Sequence, residues 1–501
     1  MPPFLFAAAA ILYTYLRAAV VSPWTDVPWL FLLDFSLILA GCYLLRRFTH
    51  DWYRTSLFLT IGVFGLLTQQ TFFFLAGGGV VLTLALAYLT LKGLRKPFSP
   101  PLLNFLLTAT ALAAIAAVVW VFARVPGSFA SPAPQTRHRL PAAWEPPPST
   151  QNLPDIYYII LDGYGRADVL QALYHYDNRA FITALQQQGF VVVPHSQANY
   201  PRTALSLPSS LNMDYVQNFL PPMEDSPFWW RVKPFITDSQ TWEILKQAGY
   251  TSVALASDWE ITNNTQAEHY LHPKPLHILG VQAYYLETTP LKIFTPLLAP
   301  VAFLPSNANH RALINDTFDT LANLPATTQP KFVFAHIIAP HPPFVFDAEG
   351  RPRDPGYAFT FNDGNNFPQS KTAYREAYVA QLQYINQRVE TLVKQIQAHA
   401  TRPTVIILQS DHGPGLDTDF SSIQNTCLWE RFSNFLALYL PGVPPQAIPD
   451  DLNAVNIFRL VLNTYLGTDF PLLENHQYYP TNPGYIFRLE EVTTDIRPTC
   501  P

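Results

Sequence analysis

The sequence predicts an α/β domain with a central sheet flanked by helices, preceded by five membrane-spanning helices. Two observations support this fold class. Residues 1–125 of the 501-residue chain are mostly apolar, whereas the rest has ordinary globular composition with many proline, tyrosine and phenylalanine residues. In that second part, short apolar runs alternate with helix-like stretches, a pattern typical of α/β domains.

Five apolar stretches lie near residues 4–21, 28–45, 56–75, 78–94 and 102–123. Each approaches the length of about 20 residues that a helix needs to cross the hydrocarbon core. Buried helices of a soluble domain are the alternative, but five such stretches in succession with few internal charges favour membrane spans. We therefore expect a transmembrane domain of five helices over residues 1–125.

The basic residues of the short loops predict the orientation of these spans. They fall between spans two and three and between spans four and five: Arg46, Arg47, Arg54, Lys92, Arg95 and Lys96. The positive-inside rule places both loops in the cytoplasm. With five spans in the plasma (inner) membrane, the N-terminus is then cytoplasmic, and the chain after Arg124 is extracytoplasmic.

Residues 126–153 are rich in proline and predict a semi-rigid linker between the membrane domain and an extracytoplasmic domain over 154–501. The 31 basic and 36 acidic residues form no basic stripe, so nucleic acid is not an expected partner. The three cysteines exclude a structural zinc cluster built from thiolates. Cys427 and Cys500 could form one disulfide in an oxidising compartment, and the sequence leaves that pairing open.

The predicted elements of the second domain follow one another as an α/β alternation. Strands are predicted over 156–161, 190–193, 331–335, 404–408 and 435–440, and helices over 178–188, 241–247, 374–399 and 452–466. Polar, chemically capable residues follow several of these strands directly. In open α/β sheets, sites lie outside the carboxyl ends of the strands, so the sequence predicts one shared site there.

Two short acidic motifs end predicted strands. Asp411 and His412 precede a glycine, and a carboxylate beside an imidazole is suitable for binding zinc or another divalent transition metal. Asp162 likewise precedes Gly163. An ordinary strand-to-loop turn is the alternative for each motif taken alone.

The segment 199–212 carries hydroxyl side chains, with Thr203 and Ser206 one helical turn apart. A hydroxyl at a helix start, near backbone N–H groups and a metal, can attack phosphorus. Helix capping by serine and threonine is the commoner use of such residues and remains the alternative.

Three further residues are candidates for binding a substrate. His336 and His341 lie within six residues of each other at a strand end, which suggests substrate or second-metal binding, although a lone histidine is usually structural. Arg431 could bind an anionic substrate or form a structural ion pair. Residues 350–370 form a long loop that could cover the site.

The ordered set of motifs resembles the sulfatase-like branch of the alkaline phosphatase superfamily. In chain order the set is Leu161-Asp162-Gly163, Thr203 with Ser206-Leu207-Pro208, His341-Pro-Pro-Phe344, and Ser410-Asp411-His412-Gly413. It is most similar to the membrane branch that contains lipoteichoic acid synthases and lipid A phosphoethanolamine transferases. Those families have five N-terminal spans and an extracytoplasmic catalytic domain.

The resemblance implies residue roles. Asp162, Thr203, Asp411 and His412 would bind one divalent metal, zinc or manganese with magnesium possible and a second metal conceivable, and Thr203 would be the nucleophile. His341 would contact the transferred group or its leaving oxygen. The other candidates for substrate binding are His336, Ser206 and Arg431.

Two departures from the family pattern bear on the reaction. Sulfatases place cysteine or serine where this chain has Thr203, and an arginine where it has Leu207. Threonine cannot mature to formylglycine, so the resemblance disfavours classical sulfatase activity. The lipoteichoic acid and phosphoethanolamine enzymes place glutamate at the position of Asp162, which affects the expected substrate more than the metal site.

The leading hypothesis is therefore an enzyme that moves or cleaves a phosphodiester-linked group on a membrane lipid or envelope glycan, through a phospho-Thr203 intermediate. A sulfate-ester hydrolase and a tethered phosphodiesterase for soluble substrates are alternatives. A transporter with an outer binding domain is disfavoured by the few intramembrane ionisable residues and the lack of repeats. A non-catalytic scaffold is disfavoured because no ligand or nucleophile is missing. The donor, the acceptor and the oligomeric state stay open.

Overall fold

The structure is a computed structural model that describes residues 27–49, 144–224, 229–272, 276–277, 302–303 and 305–501. The chain divides into two compact units. One comprises residues 1–131 and 276–304, and the other comprises residues 132–275 and 305–501. The second unit contains all the candidate site residues.

Four of the five predicted spans lie outside the described residues. The second, near 28–45, coincides with helix α1 (Val27–Thr49). Within the part of the chain that the structure describes, no helix is both long and apolar enough to span a bilayer. The five-span domain therefore stays a prediction.

The second unit begins, among the described residues, with the end of the predicted linker. Trp144 donates a hydrogen bond from Nε1 to the carbonyl of Leu466 at 3.0 Å. Residues 126–143 of the linker lie outside the described part, so its predicted boundaries are not tested.

Helices and strands alternate along the second unit. The helices are α2 (Ala167–Tyr174), α3 (Arg179–Gln187), α4 (Thr203–Asn212), α5 (Val216–Phe219), α6 (Lys233–Thr237), α7 (Gln240–Gln247), α8 (Asn307–Ala322), α9 (Lys371–His399), α10 (Leu428–Phe432) and α11 (Ile457–Leu466). The main-sheet strands are β1 (Asp155–Leu161), β2 (Val191–Val192), β3 (Thr251–Leu255), β4 (His269–Leu271), β7 (Lys331–Ile337), β8 (Thr404–Gln409) and β9 (Leu436–Tyr439). Two further two-stranded pairs are β5 (Leu276–His277) with β6 (Ala302–Phe303), and β10 (Tyr478–Pro480) with β11 (Leu489–Glu491).

The main sheet is mixed and has the strand order β2-β9-β8-β1-β7-β3-β4. Strands β8, β1, β7, β3 and β4 are parallel neighbours, whereas β9 runs antiparallel to both β8 and β2. Strands β1, β7 and β8 are buried along their whole length, as expected for central strands covered on both faces. Their near-continuous apolar sequences follow from that double burial.

Helices cover both faces of the sheet. On one face, Tyr157 and Ile159 of β1 belong to the same core as residues of α2, α3, α8 and α9. On the other face, the ring of Tyr158 packs edge-on against Phe458 of α11, with ring centroids 4.9 Å apart. Helix α9 begins after Ser370, whose hydroxyl accepts a hydrogen bond from the Ala373 N–H at 3.2 Å. The predicted central sheet flanked by helices is confirmed.

Several elements agree with the prediction within a few residues, and others were missed. The predicted helix over 374–399 begins three residues earlier, at Lys371, because the Ser370 cap stabilises an additional turn. Strand β3 escaped prediction because its five residues include only two large apolar side chains, Val253 and Leu255. Cys427 and Cys500 form a disulfide, so the pairing that the sequence left open is present in the fold.

Candidate active site

Parallel pairing brings three acidic and basic side chains to one edge of the sheet. Asp162 follows β1 directly, Asp411 lies two residues beyond β8, and His336 is near the end of β7. In the register of the sheet, Ile160 pairs with His336 on one side and with Gln409 on the other. The carboxyl ends of the three central strands therefore coincide, and the predicted shared site lies there.

Asp162, His336 and Asp411 form a compact buried cluster. One potential ligand atom from each residue lies within 4.8 Å of the other two. Asp162 Oδ1 and Asp411 Oδ2 are buried and have no hydrogen-bond partner. A buried charged oxygen without a partner is costly unless a cation compensates it. The donor set and these two unpartnered oxygens therefore fit a divalent metal ion.

The imidazole of His336 directs Nε2 into this cluster, 3.2 Å from Asp162 Oδ2. A carboxylate oxygen can only accept, so without a metal Nε2 donates to it. Nδ1 lies 3.1 Å from the Thr262 hydroxyl, which is 3.0 Å from the Trp259 carbonyl, so Thr262 can take the proton at Nδ1 and free Nε2 for a metal. A histidine held this way is suited to bind a metal. His336, expected to bind substrate or a second metal, thus lies in the same cluster as Asp162 and Asp411.

His412 carries its ring proton on Nδ1, and its Nε2 accepts a hydrogen bond from Arg431 Nη2 at 3.2 Å. Its Nδ1 lies 2.9 Å from the Gly413 carbonyl, which can only accept, so Nδ1 carries the proton. Nε2 is then 3.3 Å from Asp411 Oδ2 and 3.6 Å from Asp162 Oδ1. The predicted ligands Asp162, Asp411 and His412 are therefore all at one place.

Two glycines allow this close packing. Gly163 has a φ of +71°, which favours glycine, and its N–H donates to Asp411 Oδ1 at 3.2 Å. At Gly413, a Cβ atom would lie 1.9 Å from the carbonyl oxygen of Glu430. Glycine is therefore required at position 163 by the backbone conformation and at position 413 by the close approach of the Glu430 carbonyl.

Neighbouring groups change the acidity of the site residues. Burial alone would raise the pKa of Asp162, but His341, His336 and His412 together hold it below its ordinary value. Burial lowers the pKa of His412, and the nearby charge of Arg431 lowers it further. The carboxylate is therefore ionised and His412 is neutral near pH 7, which are the forms that bind metals.

Thr203 is the first residue of α4, and its Oγ1 lies 3.3 Å from His412 Nε2. The predicted nucleophile is therefore at the edge of the cluster. Ser206 has a different place from the expected substrate contact. It is fully buried, and its hydroxyl donates to the carbonyl of Asp411 at 2.6 Å. Ser206 fixes the backbone of the Asp411 loop rather than facing the cavity.

A cavity of about 440 Å³ opens over Thr203. Polar and charged side chains surround its base, and apolar side chains form much of its wall. The lining residues are Asp162, Arg202, Thr203, Ala204, Trp259, Ile338, His341, Phe361, Asn362, Asp363, Asn366, His412, Phe420, Arg431, Pro483 and Ile486. Four of them come from the 350–370 loop, so that loop does contribute to the site.

His341 faces this cavity with one ring nitrogen. Its Nδ1 donates to the Pro342 carbonyl at 2.6 Å, and its Nε2 lies 3.8 Å from Asp363 Oδ2. Gln381 donates to the His341 carbonyl at 3.1 Å and so holds the loop in place. The arrangement leaves Nε2 of His341 available to a substrate oxygen.

Arg431 forms a structural ion pair and also faces the cavity, so both alternatives that the sequence left open, an ion pair and a place near the substrate, apply to it. Its Nη1 forms a buried ion pair with Asp363 Oδ2 at 2.8 Å, and its Nε donates to the Pro201 carbonyl at 2.8 Å. It also lines the cavity. Burial would raise the pKa of Asp363, but Arg431, His341 and the Tyr374 hydroxyl hold it below its ordinary value.

Several residues at the site were not predicted from the sequence. Asp363 lies in the long loop, which was predicted only as a possible cover, and Thr262 follows the unpredicted strand β3. Arg202 could have been noticed because it directly precedes Thr203. The others depend on long-range contacts that no local pattern encodes.

The mixed sheet, with a buried Asp-His-Asp cluster and a threonine hydroxyl at its central strand ends, agrees with the resemblance to the sulfatase-like branch of the alkaline phosphatase superfamily. The sulfatase family model matches residues 154–463, and the chain belongs to the sulfatase family. A comparison with curated proteins finds no significant match.

The solved structures to which this chain is similar include phosphoethanolamine transferases. The integral membrane lipooligosaccharide phosphoethanolamine transferase A (EptA) from Neisseria meningitidis is 13% identical, with a TM-score of 0.42, and the match covers 92% of this chain and 95% of that one. The C-terminal periplasmic domain of EptC from Escherichia coli is 14% identical, with a TM-score of 0.43, covering 72% and 98% of the two chains. Its complex with zinc gives the same identity and coverage and a TM-score of 0.42.

Proposed function

We propose that this chain is a membrane-anchored, metal-dependent enzyme that moves or cleaves a phosphodiester-linked group on a lipid or cell-envelope glycan through a covalent phospho-Thr203 intermediate. One observation carries the proposal. The Thr203 hydroxyl stands 3.3 Å from His412 Nε2, beside a buried cluster in which two carboxylate oxygens have no partner.

The metal would be held by Asp162, His336 and Asp411, with His412 Nε2 and Thr203 Oγ1 beside them. This set adds His336 to the ligands expected from the sequence. Mixed nitrogen and oxygen ligands suit zinc or manganese and also accept magnesium. When bound, such an ion would lower the pKa of a nearby hydroxyl and offset negative charge on the transferred group.

The reaction would proceed in two displacements. In the first, the Thr203 hydroxyl gives its proton to the unprotonated His341 Nε2 and Oγ1 forms a bond to phosphorus, while the bond from phosphorus to the leaving oxygen breaks and that oxygen takes the proton from His341 Nε2. In the second, an acceptor hydroxyl or water gives its proton to His341 Nε2 and bonds to phosphorus, while the bond to Thr203 Oγ1 breaks and Oγ1 takes that proton. Each step conserves atoms and charge.

The remaining polar groups would position the substrate and stabilise charge. Phosphoryl transfer depends mainly on positioning and on electrostatic stabilisation of the transferred oxygens. Arg431 lies at the cavity with its guanidinium fixed by Asp363 and by the Pro201 carbonyl. Because these contacts exclude other rotamers, Arg431 needs little reorganisation when an anion enters.

We further propose that the catalytic unit is extracytoplasmic. The Cys427–Cys500 disulfide supports this placement, because structural disulfides persist mainly in oxidising compartments. The basic loops that were assigned to the cytoplasm from the sequence agree with it. The membrane lipid or envelope glycan would then be the nearest substrate.

The proposal is tested on the full-length chain purified in detergent, supplied with zinc, manganese or magnesium. Bis(4-nitrophenyl) phosphate, 4-nitrophenyl phosphate and 4-nitrophenyl sulfate report on diesters, monoesters and sulfate esters. We expect metal-dependent diester cleavage that Thr203→Ala abolishes, while Thr391→Ala, an exposed threonine on α9, leaves it unchanged. Cleavage by Thr203→Ala at the wild-type rate would refute the nucleophile assignment, and a preference for the sulfate ester would favour the alternative reaction.

A further inference from the structure

Arg202 stands beside the nucleophile with its guanidinium unused. It lines the cavity, its buried Nε has no hydrogen-bond partner, and no carboxylate among the described residues forms an ion pair with it. Arg431, by contrast, has four acceptors, in Asp363, Pro201, Gly413 and His412. The two arginines of the cavity therefore differ: one is already neutralised by the protein, and the other is not.

The position of Arg202 is fixed by its surroundings. Its carbonyl accepts hydrogen bonds from the N–H groups of Leu205 and Ser206 at 2.9 Å each, which anchors the residue to the start of α4. Its Cζ lies 4.5 Å from the centroid of the Phe420 ring, over which the guanidinium is placed. A cation over an aromatic face is stabilised without using its N–H donors. These donors stay available at the wall of the cavity.

The charge of Arg202 is costly where it stands. Arg431 Cζ lies 5.3 Å from the centroid of the same Phe420 ring, so two guanidinium groups share one ring, and Asp363 pairs with only one of them. Arginine stays protonated in proteins, so the fold holds an uncompensated cation next to Thr203.

We propose that Arg202 binds a non-bridging oxygen of the substrate's phosphate and provides the charge that lets the cavity retain an anionic phosphodiester. This inference rests on the proposed function, and it adds the residue that recognises the transferred group. An arginine fork donates to phosphate oxygens with charge-assisted hydrogen bonds. The apolar wall, formed by residues such as Trp259 and Ile486, accommodates the uncharged remainder of the substrate.

The test compares an anionic diester with its neutral counterpart. The full-length chain carrying Thr203→Ala, which blocks turnover, is loaded with zinc and titrated with bis(4-nitrophenyl) phosphate and with its uncharged methyl triester. Adding Arg202→Ala is expected to weaken diester binding by roughly tenfold to a hundredfold and to leave triester binding within about twofold. Arg202→Lys is expected to recover part of the diester affinity because it keeps the charge but not the fork.

The matched control is Arg388→Ala. Arg388 is also stacked on an aromatic ring, 5.0 Å from the centroid of Phe318, but it pairs with Asp319 and lies outside the cavity. Arg388→Ala should change neither the affinity for the diester nor the affinity for the triester. Equal losses of diester and triester binding in Arg202→Ala would show a structural role and overturn the inference.

Parallel turnover assays separate this inference from the proposed function. If the wild-type chain cleaves the diester but Arg202→Ala binds it as tightly as its parent, only the role of Arg202 is wrong. If the wild-type chain, loaded with metal, neither binds nor cleaves the diester, both the proposed function and the role of Arg202 are wrong.

Discussion

At the scale of single residues, the geometry of the cluster of Asp162, His336 and Asp411 depends on partners that do not belong to it. Thr262 can take the proton at His336 Nδ1, because its hydroxyl can donate to the Trp259 carbonyl, and His336 Nε2 is then free to bind a metal. The Ser206 hydroxyl donates to the carbonyl of Asp411 and so holds the backbone of that residue. Outer partners of this kind orient the metal-binding groups and tune their basicity.

The first prediction concerns Thr262. Thr262→Val removes the acceptor for His336 Nδ1 and keeps a similar volume, so we expect zinc affinity to fall by about tenfold to a hundredfold. Competition with a chromogenic chelator measures it. Thr464→Val, on the exposed side of α11, serves as control. An unchanged affinity in Thr262→Val would mean that His336 does not bind the metal.

A second prediction concerns Glu430, which is fully buried next to Arg431. Its Oε1 accepts from the Tyr174 hydroxyl at 2.5 Å, and its Oε2 accepts from the Asp417 N–H at 2.8 Å. Burial raises the pKa of Glu430 to about 8, against the opposing effect of these hydrogen bonds. Because the folded-state pKa exceeds the unfolded value, the folded chain binds the proton more tightly, and this stabilisation is lost as the pH rises from about 4.5 towards 8.

Glu430→Gln removes that titration. We expect the free energy of unfolding of the wild type to fall, relative to the variant, by up to about 1.4 kcal/mol per pH unit in this range. Denaturant unfolding at pH 5, 6.5 and 8 measures the difference, with the exposed Glu376→Gln as control. Parallel pH profiles for wild type and Glu430→Gln would contradict the assigned shift.

At the scale of elements, the sequence was most informative where a local pattern and the buried environment agree. The central strands β1, β7 and β8 are continuous apolar runs, so they were predicted nearly to their ends, together with the residues Asp162 and Asp411 that follow them. Strand β4 was missed because its three residues, His269–Leu271, form no pattern of their own. Its pairing with β3 comes from the tertiary fold.

In the candidate site, too, residues with a local sequence pattern were predicted and residues placed by tertiary contacts were not. The motif residues that end strands were found, because the carboxyl ends of parallel strands meet at one edge. The sequence suggested substrate binding for His336 and Ser206, whereas the structure places His336 in the cluster with Asp162 and Asp411 and Ser206 on the Asp411 carbonyl. Spacing along the chain does not show which way a side chain points. Arg202 and Asp363 escaped because one precedes a helix and the other lies in a loop, and only packing around Phe420 brings the first to the cavity.

The third prediction concerns the disulfide. Cys427 directly precedes α10, which carries Arg431, and Cys500 joins it from 73 residues further along the chain. Closing a loop of this length is worth about 4 kcal/mol, so Cys500→Ser should lower the free energy of unfolding by roughly that amount. Denaturant unfolding measures it, and diester turnover should fall as well because α10 loses its anchor.

Cys42→Ser is the control, because Cys42 is a free cysteine in the other unit. A reducing agent added to the wild type should reproduce the loss seen in Cys500→Ser. Unchanged stability in both experiments would mean that the disulfide does not constrain the domain.

At the scale of the whole molecule, we propose that the chain joins a predicted membrane domain to a catalytic unit outside the cytoplasm. The fourth prediction is that a protease added to spheroplasts removes the catalytic unit of the full-length chain without detergent, whereas a cytoplasmic marker survives. The physical reason is the excess of basic residues in the two loops assigned to the cytoplasm. Protection of the catalytic unit until detergent is added would reverse the proposed orientation.

The central claim is that the transferred group passes through Thr203, and intact-protein mass spectrometry tests it most directly. The zinc-loaded full-length chain is mixed with bis(4-nitrophenyl) phosphate and quenched in acid within the first turnover. We expect a mass increase equal to one 4-nitrophenyl phosphoryl group, mapped by peptide fragmentation to Thr203 and absent from Thr203→Ala. A chain that releases 4-nitrophenol at the full rate with the adduct on another residue, or that shows the same adduct in Thr203→Ala, would contradict it.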